Sequence, residues 1–236
     1  MKDEDGFSTA FGRSFQDYVG QVLDHRVGHQ GIQVIGEAEY HVGKDRKDTA
    51  DWIVRQGDDA ALFVECKTKR LTWASKADLA HLSALDRDIR QLAGAVIQVY
   101  RTIKDYHEGH YPQLRFARDR RIYPVIVTLE DWFFFGGELP VRLDAVVNEI
   151  MARSDLPTTW LKEMPYSIMS AHEFETAMGV LGMTGIQPFI SGKVLDPQFR
   201  NWTYGAYCAD QYPNEVRSLP PLFDDEYEAM FAGLVP

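Results

Sequence analysis

The stretch from Thr49 to Arg70, TADWIVRQGDDAALFVECKTKR, restricts the fold more than any other part of the chain. Within it Ala60 to Val64 is a continuous apolar run that ends in Glu65-Cys66-Lys67. A short run without alternation marks a strand covered on both faces. Charges at the end of such a strand need a partner or a purpose. Gln56-Gly57-Asp58-Asp59 has the Gly and Asp chemistry of a hairpin turn, so the segment that begins near Asp51 is expected to be an antiparallel neighbour. Side chains alternate along a strand, which puts Glu65 and Lys67 on one face and Cys66 on the other. Asp51 then comes beside Glu65. Two carboxylates and an ammonium in one patch suit a hard divalent cation, Mg²⁺ or Mn²⁺, with the backbone carbonyl of Cys66 as a further oxygen ligand. A solvated strand face with a weak surface ion pair is the simpler account of Glu and Lys two apart; the buried run ahead of them argues against it.

An Asp, a short hairpin and then Glu-x-Lys at the end of an apolar strand resembles the PD-(D/E)xK, or restriction-endonuclease-like, nuclease superfamily. Asp51, Glu65 and Lys67 carry the resemblance, and Ala50 stands where the superfamily's name has proline. The resemblance implies a metal-dependent endonuclease acting on nucleic acid, DNA rather than RNA, in restriction, phage defence or repair. Asp51 and Glu65 would bind the metal, Lys67 would assist the nucleophile, and the product would carry a 5′-phosphate. The rival from another class is a catalytically silent binding or assembly module on the same scaffold.

The order of elements extends the resemblance over roughly residues 7–130. Phe11, Phe15, Tyr18, Val19 and Val22 recur at helical spacing and predict a helix from Phe7 to about His25. Gly31 to Val42 reads as one strand with a bulge at Gly36, Gly43 to Asp48 as a charged loop, and the hairpin follows. Leu79, Leu82, Leu85, Ile89, Leu92, Val96, Val99 and Ile103 predict a long helix from Ala77 to about Tyr106. Arg121 to Leu129 is a strand in which Pro124 requires an edge or irregular position. Helix, three strands, helix, strand is the core order of that superfamily, so the expected fold is α/β with a restriction-endonuclease-like core at residues 7–135. Residues 136–236 are expected to form an α+β extension packed on it. Accessory positions are Gln16 on the first helix, Glu39 on the first strand and Gln98 on the long helix. Glu37 shares a strand face with Glu39, and an exposed face explains both equally well. Trp73 is expected to pack over the site or touch a base. The aromatic run before Gly136-Gly137 is expected to pack on the sheet, and a last helix is expected over 224–231.

Charge enters because nucleic acid is recognised mainly through its phosphates. The formal net charge is −10, yet residues 1–125 hold 19 Lys/Arg and 19 Asp/Glu, whereas residues 126–236 hold 6 and 16. The half with the motif is balanced, and its basic clusters are Lys44-Asp45-Arg46-Lys47, Lys67 to Arg70, and Arg115 with Arg118, Arg120 and Arg121. A partner subunit or a homo-oligomer is therefore expected to supply part of the substrate grip. No apolar run approaches a membrane span, the first ten residues lack a leader's pattern, and the two cysteines are far apart, all of which predicts a cytoplasmic protein without a membrane segment.

Overall fold

The protein is described by a computed structural model over residues 3–28, 31–57, 60–68, 82–111, 121–132 and 138–224. Outside those residues lie Asp58 and Asp59 of the turn, Lys69, Arg70, Trp73, the basic residues Arg115, Arg118 and Arg120, the aromatic run from Phe133, and all but the first residue of the expected last helix.

The architecture is α/β, with a mixed five-stranded sheet between helical layers. Helix α1 spans Asp3–Val27, starting ahead of Phe7, and strand β1 spans Ile32–Gly36. The segment expected to be one strand and a loop divides instead. It gives β1 and then a separate two-stranded hairpin of β2 (Glu39–Val42) and β3 (Asp45–Asp48). Strands β4 (Trp52–Gln56) and β5 (Ala60–Lys67) follow, then helix α2 (Leu82–His107) and strand β6 (Ile122–Thr128). The remainder is α3 (Glu138–Ala152), α4 (Trp160–Glu163), β7 (Ser167–Ser170), α5 (Ala171–Thr184), α6 (Ile186–Val194), α7 (Tyr204–Gln211) and α8 (Pro213–Ser218).

The main sheet has the order β1-β4-β5-β6-β7, antiparallel from β1 to β5 and parallel from β5 to β7. Strand β7, from the C-terminal stretch, thus completes the same sheet. Pro124 lies in the middle of β6, facing Phe63, but the β7 ladder begins only at Val125. On that side β6 is still an edge at Pro124, so the missing N–H costs no hydrogen bond to β7.

Alternation along β5 divides the core. Leu62 and Val64 face a cluster formed with Val19, Leu23 and the apolar stripe of α5. Phe63 faces a second cluster formed with Ile89, Val96 and Ile103 of α2 and Leu143 and Val147 of α3. Glu65 and Lys67, in step with Phe63, therefore project toward α2. Among the described residues no helix is long and apolar enough to cross a membrane.

Helices α1 and α5 meet closely at Gly182, where a Cβ would lie 2.3 Å from the backbone carbonyl oxygen of Arg26. Backbone cannot yield as a side-chain tip can. Gly182→Ala is expected to destabilise the protein by about 1–3 kcal/mol through forced separation of the two helices. Urea denaturation would register this as a lower midpoint at an unchanged slope.

Candidate functional site

The site forms where β1, β4 and β5 end together. Gly36 faces Trp52 and Trp52 faces Val64, so one further step brings Glu37 to Asp51 and Asp51 to Glu65. The alignment is not a plain continuation of the ladder. The Thr49 N–H donates to the carbonyl of Ala38 at 2.9 Å, and the Ala38 N–H donates to Thr49 Oγ at 2.9 Å. With Gly36 opposite Trp52 and Ala38 opposite Thr49, both Ala50 and Asp51 face the single residue Glu37. That is the count of a β-bulge, a device that re-aims a side chain. Ala50 is buried in the cluster under α2. The Asp51 carboxylate turns onto β5, where its Oδ2 accepts the backbone N–H of Cys66 at 2.6 Å.

Glu65, at the end of the apolar run, is 3% exposed and so buried with it. Its Oε1 accepts from Lys67 Nζ at 2.7 Å, and the same ammonium donates to Gln98 Oε1 of α2 at 3.2 Å. Burial, with the nearby Asp51 charge second, pushes the Glu65 carboxyl up to about 7 against the pull of Lys67. Burial also raises Asp51, opposed by the Cys66 N–H and by Lys67. The Cys66 thiol is driven well above its ordinary value by burial and then by the two carboxylates, so it is no nucleophile at neutral pH.

Helix α1 closes the other side. Trp52 Nε1 donates to the carbonyl of Gln16 at 3.0 Å, and its ring fills the gap at Gly20, where a Cβ would lie 2.2 Å from it. That anchor sets Gln16 Nε2 at 3.3 Å from Glu37 Oε2. Glu37 is raised by burial and by Asp51, and it raises Glu65 in turn. The three carboxylates therefore sense one another.

The structure thus gathers Asp51, Glu65, Lys67, Gln98 and Gln16. It does not gather Glu39, which lies on the β2–β3 hairpin with its Oε2 2.8 Å from Arg46 Nε. The third carboxylate is Glu37. The break in the strand after Gly36 separates the two glutamates; Gly36 marks an irregularity in the sequence, but as a bulge within one strand and not as the end of it. Two members of the first basic cluster are engaged internally, Arg46 with Glu39 and Lys47 with Asp105 at 2.7 Å. Among the described residues no three His, Cys, Asp or Glu side chains form a cage that holds a metal ion on its own. The donors are two or three carboxylates and a backbone carbonyl. Such a set fits Mg²⁺ or Mn²⁺, which keep several waters, and does not fit a caged Zn²⁺.

Comparison with protein-family models, with curated proteins and with solved structures gave no match.

A raised carboxyl carries a stability consequence of definite sign. Between its ordinary value of 4.5 and about 7 the folded state holds a proton on Glu65 that the unfolded chain has lost. Stability from this group therefore falls as pH rises through that window. Glu65→Gln removes the ionisation and keeps the hydrogen bond to Lys67. The variant is expected to gain in melting temperature relative to wild type on going from pH 5 to pH 8, both metal-free; equal differences at the two pH values would mean that Glu65 does not titrate there.

Proposed function

We propose that this chain is a Mg²⁺- or Mn²⁺-dependent endonuclease of the PD-(D/E)xK type that hydrolyses phosphodiester bonds of nucleic acid, DNA rather than RNA. The observation that carries the reading is the convergence of Asp51 and Glu65 across β4 and β5, with Lys67 on the Glu65 face and held by Gln98. The sequence of α1, three sheet strands, α2 and β6 supports it as well.

Asp51 and Glu65 would hold the cation, with the Cys66 carbonyl and Glu37 as further oxygen donors. The Cys66 N–H fixes the Asp51 carboxylate, so this ligand is set in place before any cation arrives. When bound, the cation supplies Lewis acidity toward a phosphate oxygen and acidifies water. Lys67 keeps its ammonium beside Glu65 and Gln98. From there it orients the attacking water and meets the negative charge that grows on the phosphate. Gln98 positions that ammonium and takes no proton. Because Glu65 is raised toward neutrality, loading the cation displaces a proton and tightens as pH rises from 6 to 8.

The balanced charge of residues 1–125 and the acidic remainder support a second copy or another subunit as part of the DNA grip. A cytoplasmic setting in restriction, phage defence or repair belongs to the same proposal.

Calorimetric titration with Mn²⁺ is expected to show binding that Asp51→Ala and Glu65→Ala each abolish; undiminished binding in either variant would place the metal elsewhere. Lys67→Ala is expected to bind Mn²⁺ nearly as wild type does but to cleave about 100-fold more slowly or worse. The assay uses the protein with its natural associates, offering plasmid, linear duplex, single-stranded DNA and RNA. Equal cleavage by Lys67→Ala would overturn the role of Lys67. Metal binding without cleavage of any substrate would favour the silent assembly module.

A further inference from the structure

Far from the carboxylates in sequence, a second charged group is buried without a counter-charge. Lys193, on α6, is 3% exposed. Its ammonium donates one hydrogen bond, to the carbonyl of Arg200 at 3.0 Å, and lies 4.9 Å from the centre of the Tyr204 ring. Among the described residues no carboxylate forms an ion pair with it. Glu173 is the acidic group whose field reaches it, but that carboxylate is committed elsewhere. Its Oε1 accepts the N–H of Tyr204 at 2.9 Å, and its Oε2 accepts the N–H of Ser170 at 3.1 Å in the capping box of α5. A buried ammonium stabilised by one carbonyl and a ring is an expensive arrangement.

Lys193 lines a cleft of about 110 Å³ between α3, the approach to β7, and the α6–α7 connection, and the two groups its ammonium touches, Arg200 and Tyr204, line it as well. On the same measure one water needs about 10–15 Å³. The wall also carries Arg200, Asn201, Ser167, Tyr166 and the half-exposed indole of Trp202. One carboxylate, Asp144, lines it too. Its Oδ1 accepts the Tyr166 hydroxyl at 2.6 Å, and its Oδ2 lies 3.8 Å from the Arg200 guanidinium. Among the described residues two cations thus share the cleft with a single anion, and that anion is half used by a tyrosine.

We propose that this cleft is a binding site for a small oxyanion, a phosphate or carboxylate group, held between Lys193 and Arg200. The anion supplies the counter-charge that Lys193 lacks and takes further hydrogen bonds from the Arg200 guanidinium and the Asn201 amide, since Tyr166 donates to Asp144 and Ser167 is bonded to the Tyr204 hydroxyl. Burial lowers the Lys193 ammonium to about 8 against the pull of Glu173, with Arg200 acting in the same direction as burial and Cys208 against it. An oxyanion favours the protonated amine, so its affinity falls as pH rises from 7 to 9. This site is separate from the proposed metal site and does not depend on it.

The test is calorimetric titration of the full chain, without divalent metal and in an Asp51→Asn/Glu65→Gln background, with inorganic phosphate, acetate and a deoxynucleoside 5′-monophosphate. At least one is expected to bind in the millimolar range or tighter, and preference among the three identifies the source of the anion. Lys193→Met and Arg200→Gln are each expected to weaken binding about tenfold or more. Lys193→Met, which removes a buried unpaired charge, is also expected to keep or raise the anion-free melting temperature. Should Lys193→Met fail to fold, Arg200→Gln and the loss of affinity between pH 7 and 9 carry the decision. No uptake of any of the three by wild type up to 10-fold above millimolar, or unchanged affinity in Arg200→Gln, would overturn the proposal.

Discussion

The coverage of β5 on both faces is the constraint on which the rest depends. Leu62 and Val64 are sealed under α1 and α5, while Phe63 is sealed under α2. A strand buried this way can end in charged residues only where the cover runs out or where the charges find partners. Here the second condition operates. Glu65 is still under the cover of α2, and Lys67, two residues on, emerges far enough to reach both Glu65 and Gln98. The apolar packing that defines the strand is also what desolvates Glu65 and raises its carboxyl. Core and site are consequences of one burial pattern.

Asp51 is placed by backbone irregularity instead. If β1 and β4 ran in plain register to Thr49, Ala50 would not be free to bury itself under α2 while Asp51 turns onto the Cys66 N–H. The extra residue opposite Glu37 permits both. Trp52, next in the chain, fills the space left by Gly20 and binds the Gln16 carbonyl, fixing α1 against the same strand end. The bulge and the indole therefore fix two adjacent residues in different ways, the first aiming a carboxylate and the second docking a helix. A substitution at Gly20 meets that indole first.

What could be read from the sequence follows from how local each signal was. The buried β5 run, the hairpin back to Asp51 and the period of α2 are carried by consecutive residues, and Gln98 came with that period. The choice between Glu37 and Glu39 was not local: it depends on a strand break after Gly36 and on Arg46 reaching back across a hairpin that reads as a charged loop. The burial of Glu65 beyond the apolar run depends on α2, many residues later. Likewise β7 joins the sheet by pairing with β6, so the C-terminal stretch shares both apolar clusters with the rest. Lys193 did leave a trace, since it stands alone among Phe189, Ile190, Val194 and Leu195. A solitary lysine in such a run is a buried charge in search of a partner.

Lys67 and Lys193 show two treatments of one chemical group. Lys67 shares its burial with Glu65, so neither charge stands alone and the ammonium stays partly exposed toward whatever enters the site. Lys193 is held by a carbonyl and an aromatic face, which stabilise a cation less than a carboxylate does. The surrounding field sharpens the contrast. The chain is negative as a whole, with the excess in the half that holds Lys193, and such a field repels anions that meet the surface at random. An oxyanion is attracted only where cations are concentrated locally, as Lys193 and Arg200 are. On the proposed function the same reasoning would apply to a phosphodiester approaching Lys67, whose neighbours Glu65, Asp51 and Glu37 would repel it until a divalent cation reversed the local sign. On the proposed reading the metal is therefore needed for substrate binding as well as for chemistry.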